Sequence, residues 1–246
     1  MPDIVAILPA RWGSTRFPGK PLHTIAGKPL IQHVWERCSG ARRINRVIVA
    51  TDDMRIAEAA FGFGAEVSLT SPKHRSGTDR IAEVMRKLKG VSHVLNVQGD
   101  EPLIDPKLID RLAKTLVSEK LEMITAANVF VPEDDVQNPN AVKVVLDRES
   151  DALYFSRSAI PFSRDGARPV PSYRHQGIYG YSAKLLLKLV QWKPTPLELT
   201  EQLEQLRALE HGVKIRVLIT KHASIGVDAP EDVQVVNALL SARAAK

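Results

Sequence analysis

The chain has 246 residues, of which 44% are hydrophobic and 25% are charged. This is the composition of an ordinary globular protein, long enough for one large α/β domain or for a domain with a subdomain. No apolar run approaches the roughly 20 residues that cross a bilayer, and no basic stretch precedes an apolar one near Met1, which predicts a cytoplasmic protein without membrane insertion. The single cysteine, Cys38, excludes an internal disulfide and a multi-cysteine metal site, and it is expected in the core.

The formal net charge of +6 favours an anionic partner. The cations are spread along the chain without a basic block, and only 5% of the residues are aromatic, which offers few surfaces on which bases could stack. The sequence therefore predicts small anionic substrates rather than nucleic acid. A merely basic, solvated surface is the alternative.

In the first half of the chain, apolar runs alternate with amphipathic patterns. This βαβα rhythm is typical of a mainly parallel sheet covered by helices on both faces. The predicted strands span residues 4–8, 46–50, 67–69 and 94–97, and the predicted helices span 30–38, 54–61 and 81–88, with a further helix beginning at Asp105-Pro106.

The rhythm changes after about Ile124. Strand-like segments then dominate, at 124–131, 142–146, 152–155 and 177–181. We therefore expect one domain over residues 1–246 that contains a strand-rich subdomain, lid or subunit interface at about 124–182.

Helical patterns return at Ala183. Thr195 to Glu198 has the spacing of a capping box and predicts one helix that ends at Gly212. Its apolar face would consist of Leu199, Leu203, Leu206 and Leu209. A strand at 215–219 and a last helix after Asp228 complete the pattern.

The loop after the first strand is rich in cations and small residues. Arg11, Arg16 and Lys20 provide positive charge, while Ser14 and nearby glycines allow backbone N–H groups to approach an anion. Ligands of open α/β sheets bind at such strand ends, so the loop is suited to a polyphosphate, although it is not a P-loop. An ordinary basic surface loop is the alternative.

Two acidic residues lie at predicted strand-to-helix junctions. Asp100 follows the strand at 94–97 beside Gly99, and Asp228 precedes the last helix. Mg²⁺ commonly binds one or two carboxylates together with substrate phosphates, so this pair is a candidate metal site if the two residues meet in space. Each could instead cap a turn or a helix.

Other polar residues are candidates with weaker signals. Arg75 and Ser76 run into a predicted helix and could contact a base or an anion, or Ser76 could simply cap the helix. Further candidates, each with a purely structural or solvated alternative, are Arg157, His175 and Tyr179 in the strand-rich region and Glu204 and Gln205 in the late helix.

Taken together, these segments resemble the 3-deoxy-manno-octulosonate (Kdo) cytidylyltransferases. The resemblance covers nearly the whole chain, in the family's order, through PARWGSTRFPGKPL at 9–22, GTDR at 77–80, NVQGDEPLI at 96–104, SRSAIPF at 156–162, HQGIYGY at 175–181, LEQLRALEHG at 203–212 and GVDAPED at 226–232. It implies a three-layer α/β fold of the nucleotide-diphospho-sugar transferase type, Rossmann-like, with a mainly parallel sheet and a strand-rich dimerisation subdomain. It also implies Mg²⁺ as cofactor, CTP and Kdo as substrates, and a homodimer.

The resemblance also implies site residues. The catalytic set would be Arg11, Lys20, Asp100 and Asp228, of which Asp100 and Asp228 would hold Mg²⁺. The nucleotide would be bound by Ala10, Arg11, Ser14, Arg16, Lys20, Arg75, Ser76 and Gln98. The sugar would be surrounded by Gln98, Arg157, His175, Tyr179, Glu204 and Gln205.

Three residues depart from the family's pattern beside the sugar residues: Gln176, Gly180 and Ser182. They concern the exact sugar rather than the reaction. The alternatives are therefore a cytidylyltransferase for another acidic sugar, such as 8-amino-Kdo or a sialic acid, and a nucleotide-binding module without catalysis.

Overall fold

The computed structural model describes residues 3–13, 17–130, 136–164, 171–221, 225–227 and 229–244. The strands are β1 (Asp3–Ala10), β2 (Thr24–Ile25), β3 (Lys28–Pro29), β4 (Arg46–Thr51), β5 (Glu66–Leu69), β6 (Val91–Asn96), β7 (Met123–Val129), β8 (Lys143–Leu146), β9 (Ala152–Ser156), β10 (Tyr173–Ser182) and β11 (Ile215–Thr220). The helices are α1 (Leu30–Ser39), α2 (Met54–Gly62), α3 (Gly77–Lys87), α4 (Pro106–Ser118), α5 (Ala183–Leu189), α6 (Pro196–Glu201), α7 (Gln205–Glu210) and α8 (Pro230–Ala244). None of the helices in these described ranges is long and apolar enough to cross a membrane.

The main sheet has the strand order β11-β7-β10-β6-β1-β4-β5. Strand β1 runs parallel to β4 and β6, and β11 runs parallel to β7. Strand β10 is inserted antiparallel between β6 and β7. The predicted mainly parallel sheet is therefore confirmed, and two strands of the strand-rich region, β7 and β10, lie within it while β8 and β9 branch from β10.

Helices cover both faces of this sheet, which confirms the three-layer arrangement. Alternate residues of β1 point to opposite faces. Val5 and Ile7 pack in the core that contains residues of α3 and α5, and Ile4 and Leu8 pack in the core that contains residues of α1, α2 and α4. Cys38 of α1 is fully buried in the second core, as predicted.

Side-chain caps fix where several helices begin. Asp53, Ser76, Asp105 and Ser182 each accept a hydrogen bond from a backbone N–H in the first turn of α2, α3, α4 and α5. These bonds satisfy N–H groups that have no partner inside the helix. The cap at Ser76 fixes the start of α3 beside the predicted site residues Arg75 and Ser76.

The predicted single helix from Thr195 to Gly212 is wrong. Helix α6 ends at Gln202, which adopts the left-handed conformation with φ of 53°, and a separate helix α7 follows. The leucines do not share one face, because Leu203 and Leu206 are buried while Leu199 is 57% exposed. The break turns the chain so that residues 204 and 205 reach the sheet.

Candidate active site

The carboxyl ends of β1 and β6 meet at one edge of the sheet, and a cavity of about 290 Å³ opens there. We call it the basic cavity because Arg11, Lys20, Arg75 and Arg80 are part of its lining. The lining brings together seven of the predicted site residues, namely Ala10, Arg11, Lys20, Arg75, Ser76, Gln98 and Asp100. Three further predicted residues, Ser14, Arg16 and Asp228, lie outside the described residues.

An ion pair between Lys20 and Asp100 connects the two sides of the basic cavity. The Lys20 Nζ lies 2.6 Å from Asp100 Oδ2 and also donates to the backbone oxygen of Val227 at 2.8 Å. The Val227 N–H in turn donates to the backbone oxygen of Asp100 at 2.9 Å. The loops after β1 and β6 and the segment before α8 are thus bound to one another at the predicted catalytic residues.

The loop after β6 approaches β1 closely at Gly99. A Cβ at this position would lie 3.0 Å from the backbone oxygen of Pro9 and 3.1 Å from Ile31 Cδ1. Any larger residue here would press on the Pro9 backbone and the Ile31 side chain by a few tenths of an ångström. The glycine predicted to allow close approach of a ligand therefore also allows the close approach of two loops.

Trp12 organises the cation-rich loop, and the sequence analysis did not identify it. The Gly19 N–H donates to the backbone oxygen of Trp12 at 3.1 Å, and a Cβ at Gly19 would lie 3.0 Å from the Trp12 ring. The guanidinium of Arg55 lies 3.4 Å from the centre of the same ring. A lone tryptophan between cations is the sequence signal that could have indicated this packing.

Helix α3 begins at the rim of the basic cavity. The Ser76 Oγ accepts a hydrogen bond from the Asp79 N–H at 3.1 Å, so the helix-cap interpretation of Ser76 is confirmed. Arg80, one turn into the helix, was also missed. It is 3% exposed, pairs with Asp52 at 3.1 Å, and has a pKa lowered chiefly by burial. Arg80 is the last residue of the GTDR segment, so this motif could have identified it as a site residue.

A second cavity of about 250 Å³ adjoins the basic cavity. We call it the tyrosine cavity, since Tyr179 and Tyr181 of β10 are part of its lining. The predicted sugar residues that it brings together are Gln98, His175, Tyr179, Glu204 and Gln205. Gln98 and Gly77 line both cavities, so the two spaces share a wall.

His175 is neutral in this cavity. Burial lowers the pKa of its imidazole from 6.5 to about 3. Its Nε2 lies 3.0 Å from the hydroxyl of Thr125, which itself donates to the backbone oxygen of Ile178 at 2.7 Å. Because that hydroxyl proton is already directed to Ile178, His175 must donate from Nε2, which leaves Nδ1 as the acceptor.

The other titratable groups of the tyrosine cavity are shifted toward their neutral forms as well. Burial raises the pKa of the Tyr179 and Tyr181 phenols well above 10. Burial also raises the pKa of Glu204, although hydrogen bonds with the Thr78 and Ser76 side chains act in the opposite direction. The Tyr179 hydroxyl has no hydrogen-bond partner within the described residues. The lining of this cavity therefore offers mainly neutral hydrogen-bonding groups rather than fixed cations.

The structure does not bring Arg157 into the lining of either cavity. Its guanidinium donates to the backbone oxygens of Glu201, Pro139 and Gln202, at 2.8, 2.9 and 3.3 Å. Three of its five N–H groups are thus bonded to the chain itself, and the expected pairing with a substrate carboxylate stays a prediction.

The departures from the family pattern lie mostly away from the tyrosine cavity. Gly180 faces the other side of the sheet, where a Cβ would lie 2.7 Å from Ile124 Cγ2 and 2.8 Å from Leu95 Cδ2. Ser182 caps α5, and the Gln176 amide donates to Asn128 Oδ1 at 3.1 Å. None of the three is part of the cavity's lining.

Asp100 has the chemistry of a magnesium ligand. Its Oδ2 accepts a hydrogen bond from Lys20 Nζ at 2.6 Å, and its carboxylate is part of the lining of the basic cavity. The same ranges contain no group of three or more histidine, cysteine or acidic residues that could hold a metal. A carboxylate in a cavity lined by cations nevertheless fits Mg²⁺, which usually binds few protein oxygens and completes its shell with water and substrate phosphates.

Comparison with known proteins gives consistent matches. The family model described as cytidylyltransferase matches residues 5–215. The 3-deoxy-manno-octulosonate cytidylyltransferase of Geobacter sulfurreducens is 49% identical over 95% of this chain and 98% of that protein. The protein of the same name from Syntrophobacter fumaroxidans is 51% identical over 97% of each chain.

Solved structures agree with these matches. A CMP:2-keto-3-deoxy-manno-octonic acid synthetase complexed with CTP superimposes with a TM-score of 0.93, at 40% identity over 98% of this chain and 99% of that chain. A cytidylyltransferase from Leptospira borgpetersenii has a TM-score of 0.66 at 18% identity, over 98% of this chain and 87% of that chain, and shows the fold alone.

The cytidylyltransferase match over residues 5–215 places the chain among the nucleotidyltransferases, and the basic cavity at the strand ends lies where open α/β sheets bind ligands. The coverage and the sequence identity of the matches identify one family within this class. The chain belongs to the family of 3-deoxy-manno-octulosonate cytidylyltransferases.

Proposed function

We propose that this protein transfers the cytidylyl group of CTP to Kdo and releases pyrophosphate. The observation that carries the proposal is the wall shared by the two cavities, at Gln98 and Gly77, which places an anion-binding space next to a hydrogen-bonding space. The anomeric hydroxyl of Kdo attacks the α-phosphate of CTP, forming CMP-Kdo. The product supplies the Kdo region of lipopolysaccharide.

The basic cavity accounts for the nucleotide half of the reaction. Transfer at phosphorus depends on in-line positioning and on neutralising charge more than on a covalent nucleophile. Arg11 and Lys20 offset the charge of the triphosphate, and we propose that Ser14 and Arg16 assist them. Arg75 and Ser76, at the start of α3, contact the nucleotide from the opposite side of the cavity.

We propose Asp100 and Asp228 as the residues that hold Mg²⁺. Val227, the neighbour of Asp228, is hydrogen-bonded to the Asp100 backbone, which supports pairing these two carboxylates. When bound, the cation reduces repulsion between two anionic substrates and polarises the α-phosphate. Lys20 already holds one Asp100 oxygen, so the carboxylate is oriented before substrate binds.

The tyrosine cavity accounts for the sugar half. Kdo carries several hydroxyls, which need both donors and acceptors. Neutral His175 accepts at Nδ1, the Tyr179 hydroxyl donates, and Gln98 and Gln205 do both. Glu204, which forms hydrogen bonds with the Ser76 and Thr78 side chains at the start of α3, is the remaining group that contacts the sugar.

Pyrophosphate release from CTP in the presence of Mg²⁺ tests the proposal. We expect turnover with Kdo, and a panel with 8-amino-Kdo and a sialic acid measures the preference among acidic sugars. Binding of CTP without turnover of any sugar would instead identify a nucleotide-binding module. Faster turnover of another sugar than of Kdo would overturn the assignment of substrate.

We further propose a homodimer assembled through residues 124–182 and a cytoplasmic location, where CTP is supplied. Leu153 of β9 is 62% exposed and Phe162 is 87% exposed, which supports an apolar contact in this region. Sedimentation analysis of the wild type and of Phe162→Ser tests this assembly. A monomeric wild type at micromolar concentration would contradict it.

A further inference from the structure

Arg157 binds the chain at two places that are distant in sequence. Its Nε donates to the backbone oxygen of Glu201 at 2.8 Å, and its Nη2 donates to that of Gln202 at 3.3 Å. Its Nη1 donates to the backbone oxygen of Pro139 at 2.9 Å. One planar guanidinium therefore connects the end of β9, the segment before β8 and the end of α6.

Glu201 completes a reciprocal contact with Arg157. Its Oε2 accepts from the Arg157 backbone N–H at 2.9 Å, and its Oε1 accepts from the Ser156 hydroxyl at 2.6 Å. Although burial acts to raise the pKa of Glu201, these hydrogen bonds lower it overall, so the carboxylate is ionised near neutral pH. Each of the two residues thus binds the backbone of the other.

Lys143 supports the same contact from inside the protein. It is fully buried and donates from Nζ to the backbone oxygens of Asn138, at 3.0 Å, and of Arg157. A buried ammonium requires such partners, because desolvation is otherwise strongly unfavourable. The position of Arg157 is therefore determined by the surrounding structure.

The element held by these contacts is the turn between α6 and α7. Gln202 adopts φ of 53°, an uncommon conformation for a residue other than glycine that the surrounding contacts must maintain. Glu204 and Gln205 follow two and three residues later and line the tyrosine cavity. Their placement depends on the direction in which the chain leaves this turn.

We propose that Arg157 and Glu201 are positioning residues for the sugar. They hold the turn at Gln202 and so place Glu204 and Gln205 in the tyrosine cavity, and neither touches the sugar itself. This inference rests on the proposed function, and it replaces direct pairing between Arg157 and the sugar carboxylate.

A double-mutant cycle separates the two possibilities. We expect Arg157→Ala and Glu201→Gln each to raise the KM for Kdo about tenfold, with the KM for CTP within about twofold of wild type. The Arg157→Ala/Glu201→Gln protein should be no worse than the poorer single variant, because both changes release the same turn. Arg157→Lys should fall in between, since one ammonium replaces a fork of donors. Arg148→Ala, at an exposed arginine between β8 and β9, is the matched control.

Direct pairing with the sugar predicts a different pattern. Arg157→Ala would raise the KM for Kdo while Glu201→Gln left it at the wild-type value, and that result overturns the inference. Equal loss of CTP and Kdo binding would indicate general damage and would overturn it as well. Glu201→Gln and Arg157→Lys keep the test available if Arg157→Ala does not fold.

Hydrogen exchange in the absence of sugar gives a second, independent measurement. We expect faster amide exchange over residues 199–206 in both Arg157→Ala and Glu201→Gln, with α3 unchanged. Unchanged exchange in this segment overturns the inference even if the kinetics change. A wild type that does not use Kdo overturns the proposed function instead, while the exchange result still decides the role of Arg157.

Discussion

The linings of the two cavities differ in their electrostatic character. The basic cavity uses permanent charge, with Arg11, Lys20 and Arg75 at strand ends and a helix start. The tyrosine cavity lies against β10 and suppresses charge, since burial keeps His175 and Tyr179 neutral. A triphosphate is held by fixed countercharge, whereas a sugar rich in hydroxyls is held by oriented neutral donors and acceptors.

This difference has a structural origin. The basic cavity lies at the carboxyl ends of parallel strands, where open α/β sheets bind ligands. Tyr179 and Tyr181, which line the tyrosine cavity, are buried in the sheet, so their hydroxyls are shielded from water. Mutations in the basic cavity should therefore change mainly turnover. Mutations in or behind the tyrosine cavity should change mainly the free energy of unfolding and the KM for Kdo.

The largest expected effect is on the charged side. Asp100→Asn removes the charge that pairs with Lys20 and that we assign to Mg²⁺, so turnover should fall about 100-fold or more while the chain stays folded. Steady-state pyrophosphate release measures it, with Glu58→Gln, an exposed carboxylate on α2, as control. Wild-type turnover by Asp100→Asn would remove Asp100 from the metal site.

The next effect concerns the sheet behind the tyrosine cavity. Gly180→Ala places a Cβ 2.7 Å from Ile124 and should lower the free energy of unfolding by about 2 kcal/mol. Urea denaturation measures this change. Because Gly180 faces away from the cavity, the ratio of turnover between Kdo and other sugars should not change, and an altered ratio would show that this face also shapes the sugar site.

Tyr179→Phe should act in opposite directions on stability and on function. The Tyr179 hydroxyl is buried without a partner in the described part of the chain, so its removal should raise the free energy of unfolding by about 1 kcal/mol. The KM for Kdo should rise about fivefold, because the hydroxyl is a proposed donor to the sugar. Tyr173→Phe is the control, and loss of stability in Tyr179→Phe would contradict the neutral-cavity description.

The last prediction is a pH dependence of stability. Burial lowers the pKa of His175 to about 3, so between that value and 6.5 the unfolded chain binds a proton that the folded chain does not. The free energy of unfolding should therefore increase with pH across this window. Its slope against pH should be no steeper than that for the release of one proton. The free energy of unfolding, measured by urea denaturation from pH 5 to pH 7, should rise less steeply with pH for His175→Gln than for the wild type. Identical slopes would mean that His175 is not buried as a neutral ring.

The charged half of the site was largely predictable from sequence, and the neutral half less so. Lys20 and Asp100 follow apolar strand runs, and parallel strands bring their carboxyl ends to one edge, so local pattern sufficed. The turn at Gln202 was not predictable, because Leu199, Leu203 and Leu206 have helical spacing and the left-handed residue is not a glycine. The contacts of Arg157 with backbone oxygens of two other segments were not predictable either, because no local pattern reveals them.

The insertion of β10 was missed for a related reason. Alternation identifies a strand but not its neighbours, and β10 joins β6 to β7 across more than 40 residues of intervening chain. Its partners are selected by packing of the whole sheet. Trp12 was overlooked because its packing on Gly19 depends on the fold of the loop.

The contact between Lys20 and Val227 also bears on how the enzyme is made. These residues are 207 positions apart, yet their hydrogen bond joins the two segments at the basic cavity. During synthesis the ribosome must therefore release almost the entire polypeptide before this contact can form. A nascent chain or a product truncated before residue 227 lacks this hydrogen bond to Lys20, the residue that we propose as catalytic, so the basic cavity takes its final form only when nearly the whole chain has been made.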